Sequence, residues 1–175
     1  MSIEREKFLD ILAESYRAYY DVSFPESEGE LPIAFTADYN SRDERYWLSK
    51  NISVWSNEKN EFAYIFSAPS FDRALTDRCI NYALEKGLPR VKPHKEHQYT
   101  NIKVLFVADS FDKELVKYIQ KKKFQKSYKF SLHGYTMLKT AAVDLSLGRA
   151  FPNRDGYELE KYFSKLFASV EKSKG

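Results

Sequence analysis

Residues 102–108 form a nearly continuous apolar run, Ile-Lys-Val-Leu-Phe-Val-Ala. Such a run is typical of a strand that is covered on both faces, as in a sheet packed between helices. Asp109 or Ser110 follows and is predicted to cap a helix whose inner face includes residues 115–119. Alternating apolar residues at 128–132 then predict another strand. The order strand, helix, strand predicts that the two strands are parallel neighbours.

Hydrophobic periodicity predicts the remaining elements. Three- and four-residue steps predict helices over 3–20 and 71–86, and an Asp155–Glu158 capping box predicts the start of a last helix. Alternation predicts strands at 33–39, 46–55, 62–66 and 135–145, with a loop at 21–32 and a hairpin turn at 57–60. We therefore predict a single α+β domain over residues 1–175, with a mixed sheet flanked by helices. Its αβββαβ start resembles the core of restriction-endonuclease-like proteins.

Several enzyme classes lack their motifs in this chain. Endonucleases of that type need an Asp/Glu-x-Lys step to hold a metal and orient water, and the chain contains no such step. The six glycines are not spaced for a nucleotide-binding loop. The sequence therefore predicts no catalytic residue, and it leaves any cofactor unknown.

The cysteine count and the N-terminal residues indicate the cellular compartment of the protein. Cys79 is the only cysteine, so no disulfide can form within the chain. The first ten residues are too charged for a signal peptide, and no apolar run approaches the roughly 20 residues of a membrane span. We expect a cytoplasmic protein with no membrane partner.

The three histidines suggest one candidate site. His94 and His97 lie three residues apart with Glu96 between them, and His133 comes from a distant segment. Two close histidines with a third could form an open metal site. The alternative is that the first two are solvated or bonded to the loop backbone, and that His133 is a satisfied strand-end residue.

Asp109 and Ser110 suggest a second candidate site. They follow the most buried strand at the predicted start of a helix, a place where α/β sheets bind anions. The alternative role is helix capping alone.

Charge is unevenly distributed along the chain. Residues 1–66 carry 7 lysines and arginines against 13 acidic residues, whereas the rest carries 21 against 12. The basic residues concentrate between residues 113 and 129, where aromatic side chains lie among them. This pattern is found on nucleic-acid-binding surfaces. The candidate contacts are Lys121, Lys122, Lys123, Lys126 and Lys129. The alternative is a solvated helix end, and the acidic 21–32 loop could screen these lysines within the molecule.

Two stretches, KPHKEHQYTNIKVLFVADS and FQKSYKFSLHGYTMLKTAAVDL, carry a family resemblance, together with Asn153-Arg154. They are similar to a family of uncharacterised proteins from Firmicutes, chiefly clostridia. The resemblance implies a bacterial cytoplasmic protein of unassigned function, and it adds no catalytic residue.

These observations favour a non-enzymatic binding or interaction domain whose partner is a protein, a small ligand or a second copy of the chain. The first alternative is a metal-dependent hydrolase, a phosphoesterase or nuclease-like enzyme, that uses the histidines. The second is a nucleic-acid-binding module that uses the lysines of residues 113–129.

Overall fold

A computed structural model describes residues 3–42 and 58–175. These residues contain four α-helices: α1 (Arg5–Arg17), α2 (Arg73–Gly87), α3 (Lys113–Gln120) and α4 (Glu158–Ser173). The strands are β1 (Asp21–Ser23), β2 (Ile33–Asn40), β3 (Glu58–Ser67), β4 (His97–Ala108), β5 (Gln125–Ser127), β6 (Tyr135–Asp144) and β7 (Arg149–Pro152). Short 3-10 helices occur at Leu88–Arg90 and Arg154–Gly156.

All seven strands belong to one mixed sheet in the order β1-β2-β3-β4-β6-β5, with β7 also paired to β6. Strands β3, β4 and β6 run parallel, and the other pairs are antiparallel. The predicted α+β class and helix-flanked mixed sheet are therefore confirmed. The resemblance to a restriction-endonuclease-like core is not.

The central strand β4 contributes side chains to two hydrophobic layers, one on each face of the sheet. Its even-numbered side chains, such as Val104 and Phe106, pack with α2 and α3. Its odd-numbered side chains, such as Leu105 and Val107, pack with α1 and α4. Because successive side chains in a strand point to opposite faces, a strand covered on both sides is apolar on both faces, apart from polar side chains with buried partners such as Lys103. The apolar run therefore lies where the sequence predicted it, and the strand begins earlier, at His97.

Four local predictions are wrong. The predicted loop 21–32 contains β1, and the predicted turn 57–60 overlaps the start of β3, which begins at Glu58. Helix α3 is capped by Asp112 rather than by Asp109 or Ser110. Helix α4 has Tyr157 at its N-cap and no capping side chain. The strand predicted at 46–55 lies outside the described residues.

The predicted strand at 128–132 is also wrong, and this error matters for function. Strand β5 ends at Ser127, and residues Lys129, Phe130 and Ser131 adopt positive φ angles that no strand contains. The parallel neighbour of β4 is β6 instead. Tyr128, Phe130 and Leu132 therefore lie in a tight turn. Their alternation in the sequence does not mark a buried face, since Phe130 and Leu132 are exposed.

Candidate functional site

The amino ends of β3 and β4 bring together charged groups from three segments. Glu58 opens β3, and its Oε2 lies 3.0 Å from His94 Nε2 and 3.7 Å from Arg42 Nη1. Arg42 also forms an ion pair with Glu96. Burial raises the pKa of the Glu58 carboxyl, but hydrogen bonds from Asn60 and His94 and the charge of Arg42 outweigh it and leave the pKa lowered. Two carboxylates at this edge, those of Glu58 and Glu96, thus share one arginine, Arg42.

His97, the first residue of β4, is buried and uses both ring nitrogens. Its Nδ1 lies 2.7 Å from the carbonyl oxygen of His133, and its Nε2 lies 2.8 Å from Thr100 Oγ1. His97 therefore links the start of β4 to the turn that precedes β6.

His94 and His133 are the other two histidines of the predicted metal site. The rings of His94 and His97 are 6.2 Å apart, and the Nδ1 of His94 accepts a hydrogen bond from the backbone N–H of Glu96. His133 takes part through its backbone carbonyl group, which is bonded to the ring of His97. Partial desolvation, together with the charge of Lys129, lowers the pKa of the His133 ring. No three His, Cys, Asp or Glu side chains within residues 3–42 and 58–175 are arranged to hold a metal ion. Within the described residues, the rings of His94 and His97 are hydrogen-bonded to other protein groups.

Asp109 and Ser110 lie in the turn after β4. The Asp109 carboxylate contacts Arg5 Nη1 at 2.9 Å, and the helix that follows begins three residues beyond Ser110. Strands β3, β4 and β6 follow one another across the sheet in a single direction, so no reversal of strand order opens a crevice at this point. The contact with Arg5 gives Asp109 a role in holding α1.

Of the five lysines of the predicted basic surface, one forms an ion pair and four form none with the described residues. Lys122 Nζ is 2.7 Å from Asp77 Oδ1 and 2.9 Å from the Tyr118 hydroxyl, which removes it from any binding surface. The other candidates are exposed and form no ion pair with any residue that the structure describes: Lys121, Lys123, Lys126 and Lys129. In the acidic loop at 21–32, Glu30 contacts Arg78 and not these lysines.

The turn between β5 and β6, residues 128–134, is hereafter called the tip. Phe130 is 99% exposed and Leu132 is 76% exposed. Lys129, Phe130 and Ser131 have φ angles of 46°, 54° and 70°. A left-handed backbone costs an ordinary residue roughly 1–2 kcal/mol, so three in succession are a strained way to build a turn. This strained backbone holds two large apolar side chains in solvent.

Gly134 fixes the tip against β4. Its φ is +78°, and a Cβ at this position would lie 2.3 Å from the carbonyl oxygen of Gln98 and 2.5 Å from that of His97. Only glycine combines this conformation with so close an approach of two backbones. Together with the His97–His133 bond, this contact gives the tip a rigid base.

We expect Gly134→Ala to destabilise the protein by about 2–4 kcal/mol, since a backbone clash adds to the cost of the left-handed conformation. Urea unfolding measures the change. Gly148→Ala is the matched control, because Gly148 also has a positive φ of +59° but its added Cβ would meet only Phe167, at 3.8 Å. Equal losses in the two variants would contradict the close approach at Gly134.

A buried ionic cluster lies on the α1 face of the sheet, and the sequence did not predict it. Lys103 of β4 forms an ion pair with Glu61 of β3, and Lys103 Nζ lies 3.4 Å from the Tyr16 hydroxyl. The Tyr20 hydroxyl donates to Glu61 at 2.8 Å. A lysine inside an apolar run was the available signal. It was missed because its partner lies on another strand.

The protonation states of this cluster argue for a structural role. Burial lowers the pKa of Lys103, but the surrounding tyrosines and Glu61 outweigh burial and raise it well above its ordinary value. Burial raises the pKa of Tyr16 to about 12. Amine nucleophiles and bases need a lowered pKa, whereas this lysine stays protonated and holds α1 against the sheet.

A family model described as a domain of unknown function (DUF8052) matches residues 4–165. The chain belongs to this family. The prediction of an uncharacterised family is confirmed at that level. No curated protein and no solved structure shows significant similarity to the chain.

The DUF8052 match covers the tip, the histidine edge and the Glu61–Lys103 cluster. It ends inside α4, so the last turns of that helix, which bury Phe167 and Val170, lie beyond it. None of the helices within the described ranges is long and apolar enough to cross a membrane.

Proposed function

We propose that this chain is a single-domain, non-enzymatic binding protein that recognises an anionic partner through the tip and the lysines around it. The observation that carries the proposal is the tip itself, where a strained turn holds Phe130 and Leu132 in solvent. Strained backbone persists where the surrounding structure enforces it, and it concentrates at functional sites. With the clostridial resemblance, we further propose that the protein acts in the bacterial cytoplasm.

The charge around the tip supports an anionic partner. Five exposed lysines, hereafter the lysine collar, lie in the tip, in β5 and the segment that leads into it, and in the loop before β4, and they form no ion pair with the described residues. They are Lys95, Lys121, Lys123, Lys126 and Lys129. Lys95 is included because its charge, like that of Lys129, acts on His133 at the base of the tip. The predicted hydrolase has less support, since the described rings of His94 and His97 are engaged by protein groups.

Retention on immobilised heparin, a generic polyanion, tests the proposal. We expect the native protein to be retained and to elute at higher salt than a variant with all five collar lysines changed to glutamine, because clustered charge governs such binding. The matched control changes five exposed lysines on the other side of the molecule: Lys7, Lys161, Lys165, Lys172 and Lys174. If the two variants elute together, net charge alone explains retention and the proposed surface is wrong.

A further inference from the structure

We propose that the tip docks on anionic lipid bilayers, with Phe130 and Leu132 entering the headgroup region and the collar lysines meeting lipid phosphates. The inference rests on the proposed function, because it assigns a partner to the same surface. The expectation of no membrane partner rests on the absence of a segment that could span a bilayer, and no helix within the described residues could do so. Peripheral docking needs only exposed apolar side chains and positive charge.

The shape of the tip favours a bilayer over a protein partner. Its exposed apolar surface consists of two neighbouring side chains, Phe130 and Leu132, on a turn that projects into solvent. A protein interface of ordinary size needs roughly 800 Å² from each partner and a complementary surface. A bilayer accepts a small apolar projection without a matching pocket, since lipids rearrange around it.

Four backbone N–H groups at the base of the tip donate hydrogen bonds within the tip. The N–H groups of Leu132, His133 and Gly134 donate to the carbonyl groups of Lys129, Tyr128 and Ser131 at 3.0, 3.1 and 3.2 Å. The N–H of Tyr128 donates to the Gly134 carbonyl at 3.0 Å. Because unsatisfied backbone groups are costly in lipid, we expect the Phe130 and Leu132 side chains to enter the headgroup region while the hydrogen-bonded base of the tip stays at the membrane surface.

Charge near the tip matches an anionic surface. Lys129 belongs to the tip, Lys126 Nζ lies 5.6 Å from the centre of the Tyr128 ring, and Lys95 acts on His133. Among the described residues, the nearby carboxylates of Glu58 and Glu96 share one cation, Arg42, so the three lysines outnumber the single carboxylate that is left over. Three lysines near an anionic membrane each strengthen binding about 5-fold, which gives about 100-fold together.

Two other partners fit these features less well. Single-stranded nucleic acid binds to aromatic platforms, and of the two fully displayed side chains only Phe130 has an aromatic face. A second copy of the chain would bring like-charged collars together, which is unfavourable. Strand β5 beside the tip is short and carries Lys126, a feature that discourages edge pairing between copies.

Sedimentation with vesicles of phosphatidylcholine, with and without phosphatidylserine, tests the proposal. We expect binding only with phosphatidylserine, and weaker binding as ionic strength rises from about 0.01 to 0.15 M, because screening shortens the reach of charge. The double variant Phe130→Ser/Leu132→Ser should bind at least about 10-fold more weakly. Its control, Leu147→Ser, removes an exposed apolar side chain in the turn after β6, at the opposite end of that strand from the tip, and should bind normally.

The lysine arm uses Lys95, Lys126 and Lys129 changed to glutamine, with Lys161, Lys165 and Lys172 as the matched control. We expect about 100-fold weaker binding in the first set and little change in the second. Equal unfolding midpoints show that all variants remain folded. Absence of phosphatidylserine-dependent binding, or native binding by the Phe130/Leu132 variant, overturns the membrane proposal. If heparin retention still depends on the collar, the proposed function survives that failure, and collar-dependent binding of single-stranded RNA would then identify the other partner class.

Discussion

Lys103→Met is expected to lower the free energy of unfolding by about 3–5 kcal/mol, because it leaves the Glu61 carboxylate buried without its cation. Lys103 is buried between Glu61 and the rings of Tyr16 and Tyr20, with its Nζ 5.5 and 5.7 Å from the ring centres. Urea unfolding at pH 7 measures the loss. The variant keeps most of the side-chain volume, so the missing charge dominates the effect.

Lys139→Met is the matched control. Lys139 is the register neighbour of Lys103 on β6, and its ion pair with Glu158 reaches solvent because the Glu158 side chain is 45% exposed, although that of Lys139 is only 15% exposed. Exposed pairs contribute about 1 kcal/mol or less. The double variant Glu61→Gln/Lys103→Met should recover much of the loss, because it removes both charges. A loss in Lys103→Met no larger than in Lys139→Met would contradict a buried ion pair that stabilises the fold.

The pH dependence of stability gives a second readout of the same pair. Burial raises the pKa of Glu61, but the charge of Lys103 and hydrogen bonds from Lys103 and Tyr20 outweigh it, so the folded pKa lies below the unfolded value. The stabilisation is therefore present above the unfolded pKa of about 4.3 and is lost as pH falls through the folded pKa. In Lys103→Met, burial is opposed only by the hydrogen bond from Tyr20 and the charge of Lys139, so we expect the pKa of Glu61 to rise and the variant to gain stability as pH falls from 7 toward 5.

Local patterns were sufficient to predict much of the sheet and helices. The apolar run in β4, the alternation in β2 and β6 and the helical steps in α1 and α2 each have one strong period, and all are confirmed. Each pattern is dictated by burial on one or both faces, which is a local property of the sequence. Helix caps were less predictable, because several polar residues precede each helix and small differences in backbone geometry select one of them.

The candidate sites depended on information that no local pattern contains. Glu61 and Lys103 meet because β3 and β4 pair in a particular register, and the sequence does not state that register. The alternation of Tyr128, Phe130 and Leu132 predicts a strand. The structure has a turn there instead, with Gly134 packed closely against the backbone of β4. The basic residues were recognised from composition, but pairing of Lys122 with Asp77 could be found only from the arrangement of α2 and α3.

Asn153 fills a gap between two strands that share one edge of β6. Strand β5 pairs with residues up to Met137, and β7 begins pairing at Ala141. Between them, Asn153 Nδ2 donates to the Leu138 carbonyl at 3.1 Å, and Asn153 Oδ1 accepts from the Thr140 N–H at 3.0 Å. One side chain thus substitutes for a missing stretch of strand.

The same side chain also holds the segment that leads to β5. Asn153 Nδ2 donates to the Lys122 carbonyl at 3.0 Å, and its Oδ1 accepts from the Gly156 N–H at 2.9 Å. Asn153 is buried, so water cannot replace these partners without opening the structure. Its four side-chain hydrogen bonds therefore join the chain after α3, the middle of β6 and the start of the 3-10 helix before α4.

We expect Asn153→Ala to destabilise the protein by about 3–5 kcal/mol, because two carbonyl groups and two N–H groups lose buried partners. Asn40→Ala is the control, since the Asn40 side chain is exposed and accepts one hydrogen bond, from the Arg42 N–H at 2.7 Å. That loss should be about 1 kcal/mol or less. Hydrogen exchange gives the local readout: the Thr140 amide should exchange faster in Asn153→Ala than the drop in global stability accounts for. Unchanged relative protection of Thr140 would mean that another group, and not Asn153, closes the gap between β5 and β7.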